Sequence, residues 1–223
     1  MTRPILLFAA GKGTRMAPLT DNLPKPLIHV AGKTLLDHAY DFAKEAGCGP
    51  VVINTHYLGH MIRDHVAGRD VVISDESALL RETGGGLRFA LPLLGQDVVV
   101  TMNTDAVWSG PNPVAQILAA WRPEMEALLL TVPKDRVIGH PGAGDFALTT
   151  SGKLRWGRDL IYTGVQMLRT ERFAAMTQEV FSMHPVWEAL IADNAMDAAI
   201  YDGSWCDVGQ PSSIPLAEAM QNV

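Results

Sequence analysis

The chain has 223 residues, 48% hydrophobic and 19% charged, which is enough apolar material for a core and excludes wholesale disorder. Its 18 Lys and Arg against 24 Asp and Glu leave a net charge of −6 with no basic block, a poor basis for binding nucleic acid or anionic membranes. Cys48 and Cys206 make neither a disulfide framework nor a zinc set, and the longest apolar runs, Ile5–Ala10 and Ala127–Val132, are too short to span a bilayer. At about 150 residues per domain, a single domain is expected. Gly11-Lys12-Gly13 stands where a secretory leader would need a small-residue cleavage site, so a cytoplasmic protein is expected.

Taken in chain order, Ile5–Ala10 reads as a buried strand ending in glycines. Thr34 caps a helix whose Leu35, Ala39, Phe42, Ala43 and Ala46 keep the 3.6-residue period, and Gly47 stops it. Val51–Asn54 is the next strand, Leu58–Val66 a short amphipathic helix and Val71–Ser74 a third strand. Leu87–Leu94 forms a further helix and Val98–Asn103 a fourth strand. This alternation predicts an α/β fold, a Rossmann-like and mostly parallel sheet with helices on both faces. Ligands of such sheets sit beyond the carboxyl ends of the strands. Further on, Pro111–Trp121 reads as a helix and Leu128–Val132 as a strand. Gly139, Pro141, Gly142 and Gly144 mark a loop, and Phe146–Thr149 with Lys153–Trp156 a hairpin. Ile161–Leu168 is a strand, followed by helices around 171–176 and 186–193. No repeat, low-complexity tract or long linker divides residues 1–223.

The segment after the first strand reads Ala9-Ala10-Gly11-Lys12-Gly13-Thr14-Arg15-Met16-Ala17-Pro18-Leu19-Thr20, then Pro24-Lys25-Pro26-Leu27. Glycines at a strand end let backbone N–H groups turn toward phosphate oxygens, and Arg15 and Lys25 add a planar fork and a mobile point charge. A tight turn carrying two solvated cations is the competing reading. Neither the dinucleotide fingerprint nor the P-loop fits the spacing: Met16 stands where the fingerprint needs its third glycine. Two carboxylates, Asp105 after the fourth strand and Asp207 in Trp205-Cys206-Asp207-Val208-Gly209, suit magnesium together with substrate phosphates, or serve as caps and turns. Glu82-Thr83-Gly84-Gly85-Gly86 reads equally as a loop that a ligand approaches closely or as a flexible helix lead-in.

Gly11-x-Gly13-x-Arg15-Met16-x-Pro18-Leu19-Thr20 followed by Pro24-Lys25-Pro26-Leu27 resembles the signature of the sugar-phosphate nucleotidyltransferases. The resemblance implies a single domain of the nucleotide-diphospho-sugar transferase type, with a nucleotide-binding part at about 1–105 and a sugar-binding part at about 106–223. It implies that Ala10, Gly11, Gly13 and Thr14 wrap the nucleotide phosphates and that Arg15 steadies the departing pyrophosphate. Lys25 contacts phosphate, Glu82, Thr83 and Gly84 face the base, and Asp105 and Asp207 bind Mg2+. Arg15, Lys25 and Asp105 are thus the catalytic candidates. The family's Gly before the first Asp is Thr104 here, a change in the turn that carries the carboxylate. Asn103 is placed at the sugar phosphate, and Asp145, Thr163 and Gly164 are candidate sugar contacts, each with a turn, hairpin-edge or strand-packing alternative.

The Glu-Thr-Gly-Gly-Gly loop, Gly144-Asp145-Phe146 and the short distance from Asp207 to residue 223 most resemble the short bacterial N-acetylmuramate-1-phosphate uridylyltransferases of cell-wall recycling. The implied reaction joins an NTP and a sugar 1-phosphate and releases pyrophosphate. Guanylyl transfer to mannose or heptose 1-phosphate, cytidylyl transfer to another phosphorylated acceptor, and a non-catalytic nucleotide-sugar-binding regulator are the alternatives. No nucleic-acid or membrane partner is expected, and the resemblance implies a monomer or weak homo-oligomer. His56, His60 and His65 fall near one helix with no carboxylates arranged beside them and read as a solvated face.

Overall fold

A computed structural model describes residues 2–140 and 142–221 of the chain, so Pro141 of the expected loop lies outside the described residues. The first half runs β1 (Ile5–Phe8), β2 (His29–Val30), β3 (Lys33–Thr34), α1 (Leu35–Glu45), β4 (Val51–Thr55), α2 (Gly59–His65), β5 (Val72–Asp75), α3 (Glu82–Leu94) and β6 (Val98–Asn103). There follow β7 (Ala106–Ser109), α4 (Pro113–Ala120), β8 (Ala127–Pro133), β9 (Val137–Ile138), β10 (Phe146–Leu148), β11 (Leu154–Trp156) and β12 (Leu160–Arg169). The chain closes with α5 (Glu171–Ala174), α6 (His184–Ala192), β13 (Met196–Ile200), β14 (Ser204–Asp207) and α7 (Ile214–Gln221).

The central sheet has the order β11-β10-β12-β6-β1-β4-β5, with β8 on β12 and β13 on β8. Strands β6, β1, β4 and β5 are parallel, in register Leu6 opposite Val52 and Thr101. Beyond β6 the sheet turns mixed, because β12 runs antiparallel to both β6 and β8. The pleat sorts β1 onto two cores. Ile5 and Leu7 pack with Leu36 and Ala39 of α1, Ile62 of α2 and Ile117 of α4, whereas Leu6 packs with Leu87 and Ala90 of α3 and Leu190 of α6. Helices therefore cover both faces, as the alternation of elements predicts. Among the described residues no helix is long and apolar enough to cross a membrane, and both cysteines are free and buried.

Besides the short β2–β3 ribbon, three features stand outside the expectation. Strand β13 pairs parallel with β8, Met196 opposite Ala127, although Met-Asp-Ala-Ala-Ile has little strand character of its own. Helix α7 packs Ala217 and Met220 against Met16, Val107 and Val208. The third is a ribbon, β7-β14-β9, in which Ala106 lies opposite Asp207. This ribbon brings the carboxyl-terminal motif to the end of β6 and so completes the ligand edge of the sheet.

Candidate functional site

Beyond the carboxyl ends of β1, β4 and β6 lies a cavity of about 460 Å³ whose wall includes Ala10, Gly11, Gly13, Thr14, Arg15, Lys25 and Asp105. The two loop glycines serve different ends. A side chain at Gly11 would meet nothing within 4 Å, so the absent Cβ leaves open space. Gly13 has φ +63°, and a Cβ there would lie 2.8 Å from the Lys25 Cβ. Its conformation and its neighbour both require glycine, and the reason is the stem of Lys25 rather than a ligand. The hydroxyl of Thr20 donates to the Gly13 carbonyl at 3.0 Å and closes the loop on itself.

Lys25 is buried, and its Nζ donates to Asp105 Oδ2 at 2.9 Å. Asp105 itself remains about one-third exposed, at 32%. The turn that carries it is tied down by Thr104, whose hydroxyl donates to the Phe8 carbonyl at 2.7 Å. Threonine in place of the family's glycine therefore binds this turn to the end of β1. The Val208 amide donates to the Asp105 carbonyl at 2.9 Å, which sets the second aspartate one step across the ribbon. Asp207 is buried, and its Oδ2 lies 3.0 Å from His140 Nδ1. A Cβ on Gly209 would lie 3.0 Å from Asp207 Oδ2 and 3.3 Å from Arg15 Nη1, so that glycine keeps the space between cation and carboxylate clear. Asp207 does not line the cavity; Gly209, two residues further on, does.

The three glycines after Thr83 are not an open loop. They form the first turn of α3, and all three are buried. A Cβ on Gly84 would meet the Phe181 ring and the Ser182 carbonyl, and one on Gly85 the Glu179 carbonyl. One on Gly86 would meet Glu76 Oε1. The close approach inferred from the glycines is therefore made by the chain's own 179–182 segment, with the Gly85 amide donating to the Phe181 carbonyl at 2.9 Å. Glu82, in the left-handed region at φ +60°, and Thr83 line the cavity, whereas Gly84 is turned against Phe181 and does not. Gly85→Ala is expected to destabilise the fold by about 2 kcal/mol through overpacking against backbone, read as a lowered urea midpoint.

A second cavity, also of about 460 Å³, shares Phe8, Arg15, Thr83 and Asn103 with the first. Asp145 lines it, with Oδ2 accepting from the Tyr162 amide at 2.9 Å. Thr163 and Gly164 line neither cavity. The Thr163 hydroxyl is buried and donates to the Leu130 carbonyl at 2.7 Å. Gly164, at φ +88° in the bulge of β12, makes room for Asn103, whose Cβ would sit 2.8 Å from a Cβ at that position. The glycine thus marks the close approach of a protein side chain that itself faces both cavities. Sequence reasoning missed the aromatic wall: Trp156 stacks on Phe146 at 5.0 Å and on His184 at 5.5 Å, and Tyr162 meets Trp187 edge-on at 5.0 Å. Burial pushes the Tyr162 phenol upward, so it stays protonated.

For a divalent cation, the described residues assemble no group of three or more His, Cys, Asp or Glu side chains. The site instead offers Asp105 on the cavity wall and Asp207, buried across the ribbon from it, all-oxygen donors few in number. That donor set fits magnesium, which keeps most of its sphere for water and substrate phosphates.

A family model described as a MobA-like NTP transferase domain matches residues 5–200. The N-acetylmuramate alpha-1-phosphate uridylyltransferase of Caulobacter vibrioides is 36% identical over 96% of this chain and 95% of its own length. The enzyme of that name from Neisseria meningitidis is 33% identical over 96% of each. Among solved structures, HddC from Yersinia pseudotuberculosis complexed with GMP-PN superposes with a TM-score of 0.79 at 17% identity, covering 98% of this chain and 99% of that one.

Proposed function

This chain belongs to the MobA-like NTP transferase family, and from that premise we propose that it transfers a uridylyl group from UTP to N-acetylmuramate 1-phosphate. The products are a nucleotide-sugar for cell-wall recycling and pyrophosphate. The observation that carries the reading is the pair of cavities meeting at Phe8, Arg15, Thr83 and Asn103, with Asp105 on the wall of the first. Two anionic substrates, one in each cavity, would meet at that junction. Near-full-length likeness to two uridylyltransferases supports the choice of base and sugar.

The sugar-phosphate oxygen attacks the α-phosphorus of the NTP, the bond from that phosphorus to the β-phosphate bridging oxygen breaks, and pyrophosphate leaves with the electron pair. The nucleophile is already an anion at neutral pH, so no general base is required, and no histidine lines the first cavity among the described residues. The chain's task is to hold two polyanions in line and to offset their charge. The loop from Ala10 to Thr14 would cradle the triphosphate, with Arg15 and Lys25 countering charge that develops on the pyrophosphate. Glu82 and Thr83 would face the base, and Asn103 and Asp145 the sugar phosphate and sugar. Asp105 and Asp207 would hold magnesium, which when bound neutralises the α-phosphate and raises its electrophilicity.

A panel of four NTPs against several sugar 1-phosphates, read by pyrophosphate release with and without magnesium, tests the assignment. UTP with N-acetylmuramate 1-phosphate is expected to give the highest kcat/KM, and only with magnesium. A preference for another pair overturns the assigned substrates, and full activity in chelator overturns the metal.

A further inference from the structure

Glu76 is 1% exposed and lies just beyond β5, outside the wall of either cavity. Both of its carboxylate oxygens are nevertheless committed. Oε1 accepts from Asn54 Nδ2 at 2.8 Å, and Oε2 accepts from the Arg81 amide at 3.1 Å. Its own amide donates to the Thr55 carbonyl at 2.8 Å. No Lys, Arg or His lies within ion-pair distance of it among the described residues. A buried carboxylate satisfied only by neutral donors is costly, and burial accordingly pushes its pKa upward. Such a group calls for a reason.

Its partners supply one. Asn54 is 2% exposed, stands at the wall of the nucleotide cavity, and uses its Oδ1 to accept from the Ala9 amide at 2.7 Å. Ala9 opens the loop that carries Gly11, Gly13 and Arg15. Arg81 immediately precedes Glu82 and Thr83, which line the same cavity from a different segment. One carboxylate therefore ties two segments of the cavity wall together in the relay Ala9–Asn54–Glu76–Arg81. Gly86 fits the same account, since a Cβ there would lie 2.8 Å from Glu76 Oε1 and 3.0 Å from Asn54 Nδ2.

We propose that Glu76 is a positioning residue of the nucleotide cavity, fixing the orientation of the Asn54 amide and thereby the spacing of the two segments, without touching substrate. The proposal rests on the nucleotide-site reading above. Its chemistry turns on polarity. Glu76 accepts from two donors, and a glutamine of the same shape must turn its own NH2 toward one of them. An amide flip of Asn54 would relieve that clash only by facing a donor onto the Ala9 N–H. Exchanging the groups, in Asn54→Asp with Glu76→Gln, restores every donor to an acceptor. The introduced aspartate accepts from Ala9 and from the new amide, which keeps its oxygen on Arg81, and net charge is unchanged.

Equilibrium titration with UTP and magnesium, alongside steady-state kinetics and thermal unfolding, tests this. Glu76→Gln is expected to weaken UTP binding about tenfold, the effect of one misplaced buried hydrogen bond. KM for the sugar 1-phosphate should remain within about twofold, since Asn103 and Asp145 keep their own supports. The paired variant should recover UTP affinity. Unchanged UTP binding in Glu76→Gln overturns the proposal, as does a paired variant that recovers neither fold nor affinity. Equal loss toward both substrates, tracking the unfolding midpoint, marks a merely structural role and also overturns it. Failure of the parent chain to bind any NTP overturns the nucleotide-site reading and this proposal together, whereas the other outcomes bear on Glu76 alone.

Discussion

Asp105→Ala is expected to lower kcat by about 10²–10³ while the protein stays folded, the usual cost of removing a charged group that acts at the reacting centre. Two features separate the catalytic loss from a loss of fold. The carboxylate is 32% exposed at a cavity wall, and the turn beneath it is held by backbone groups and Thr104 rather than by its own side chain. Its ion pair with Lys25 is mostly buried on the lysine side but opens to the cavity at Asp105, so water can reach the ammonium once the carboxylate is gone. The variant should therefore melt within a few degrees of the parent and retain its circular dichroism. If Asp105 holds magnesium, Asp105→Asn should fail almost as fully, since an amide keeps the shape but loses the charge. Pyrophosphate release near the parent rate in either variant refutes the role.

Arg15→Ala is expected to cost about as much, 10²–10³ in kcat/KM, for a different reason. Arg15 lines both cavities and makes no ion pair within 4.0 Å among the described residues. Its guanidinium stands beside the space kept clear by Gly209, facing the Asp207 side of the mouth. An unpaired guanidinium there matches phosphate oxygens in a planar, two-pronged way that an ammonium does not. Arg15→Lys is therefore expected to recover only a small part of the loss, with both variants folded. Full recovery by lysine would reduce the role to a point charge.

The parallel strands and their helices were legible because β1, β4 and β6 are continuous apolar runs, with the ligand edge following from their direction. The loop from Ala10 to Arg15 and Lys25 was legible because its residues lie close together in sequence. Long-range pairing was less accessible. β7 and β14 are four-residue strands nearly a hundred positions apart, and only their register sets Asp207 against the end of β6. The glycines of α3 misled because their low helix propensity argues for a loop, and tertiary packing against Phe181 and Glu179 overrides it. Gly164 misled for a related reason, since a close neighbour was foreseen but not that it is Asn103. The aromatic wall comes from a hairpin, a bulged strand and a helix, and no local period announces that Trp156, Tyr162 and Trp187 meet.

The proposed reaction rests on two anions meeting at a cation that Asp105 and Asp207 would hold. Crystals grown with a non-hydrolysable UTP analogue and Mn2+ in place of magnesium test this by anomalous scattering. The account predicts one manganese peak bridging the carboxylates of Asp105 and Asp207 and the α-phosphate, with the triphosphate along residues 10–15. A peak on other side chains, or a nucleotide seated away from that loop with no metal at the two aspartates, would contradict it.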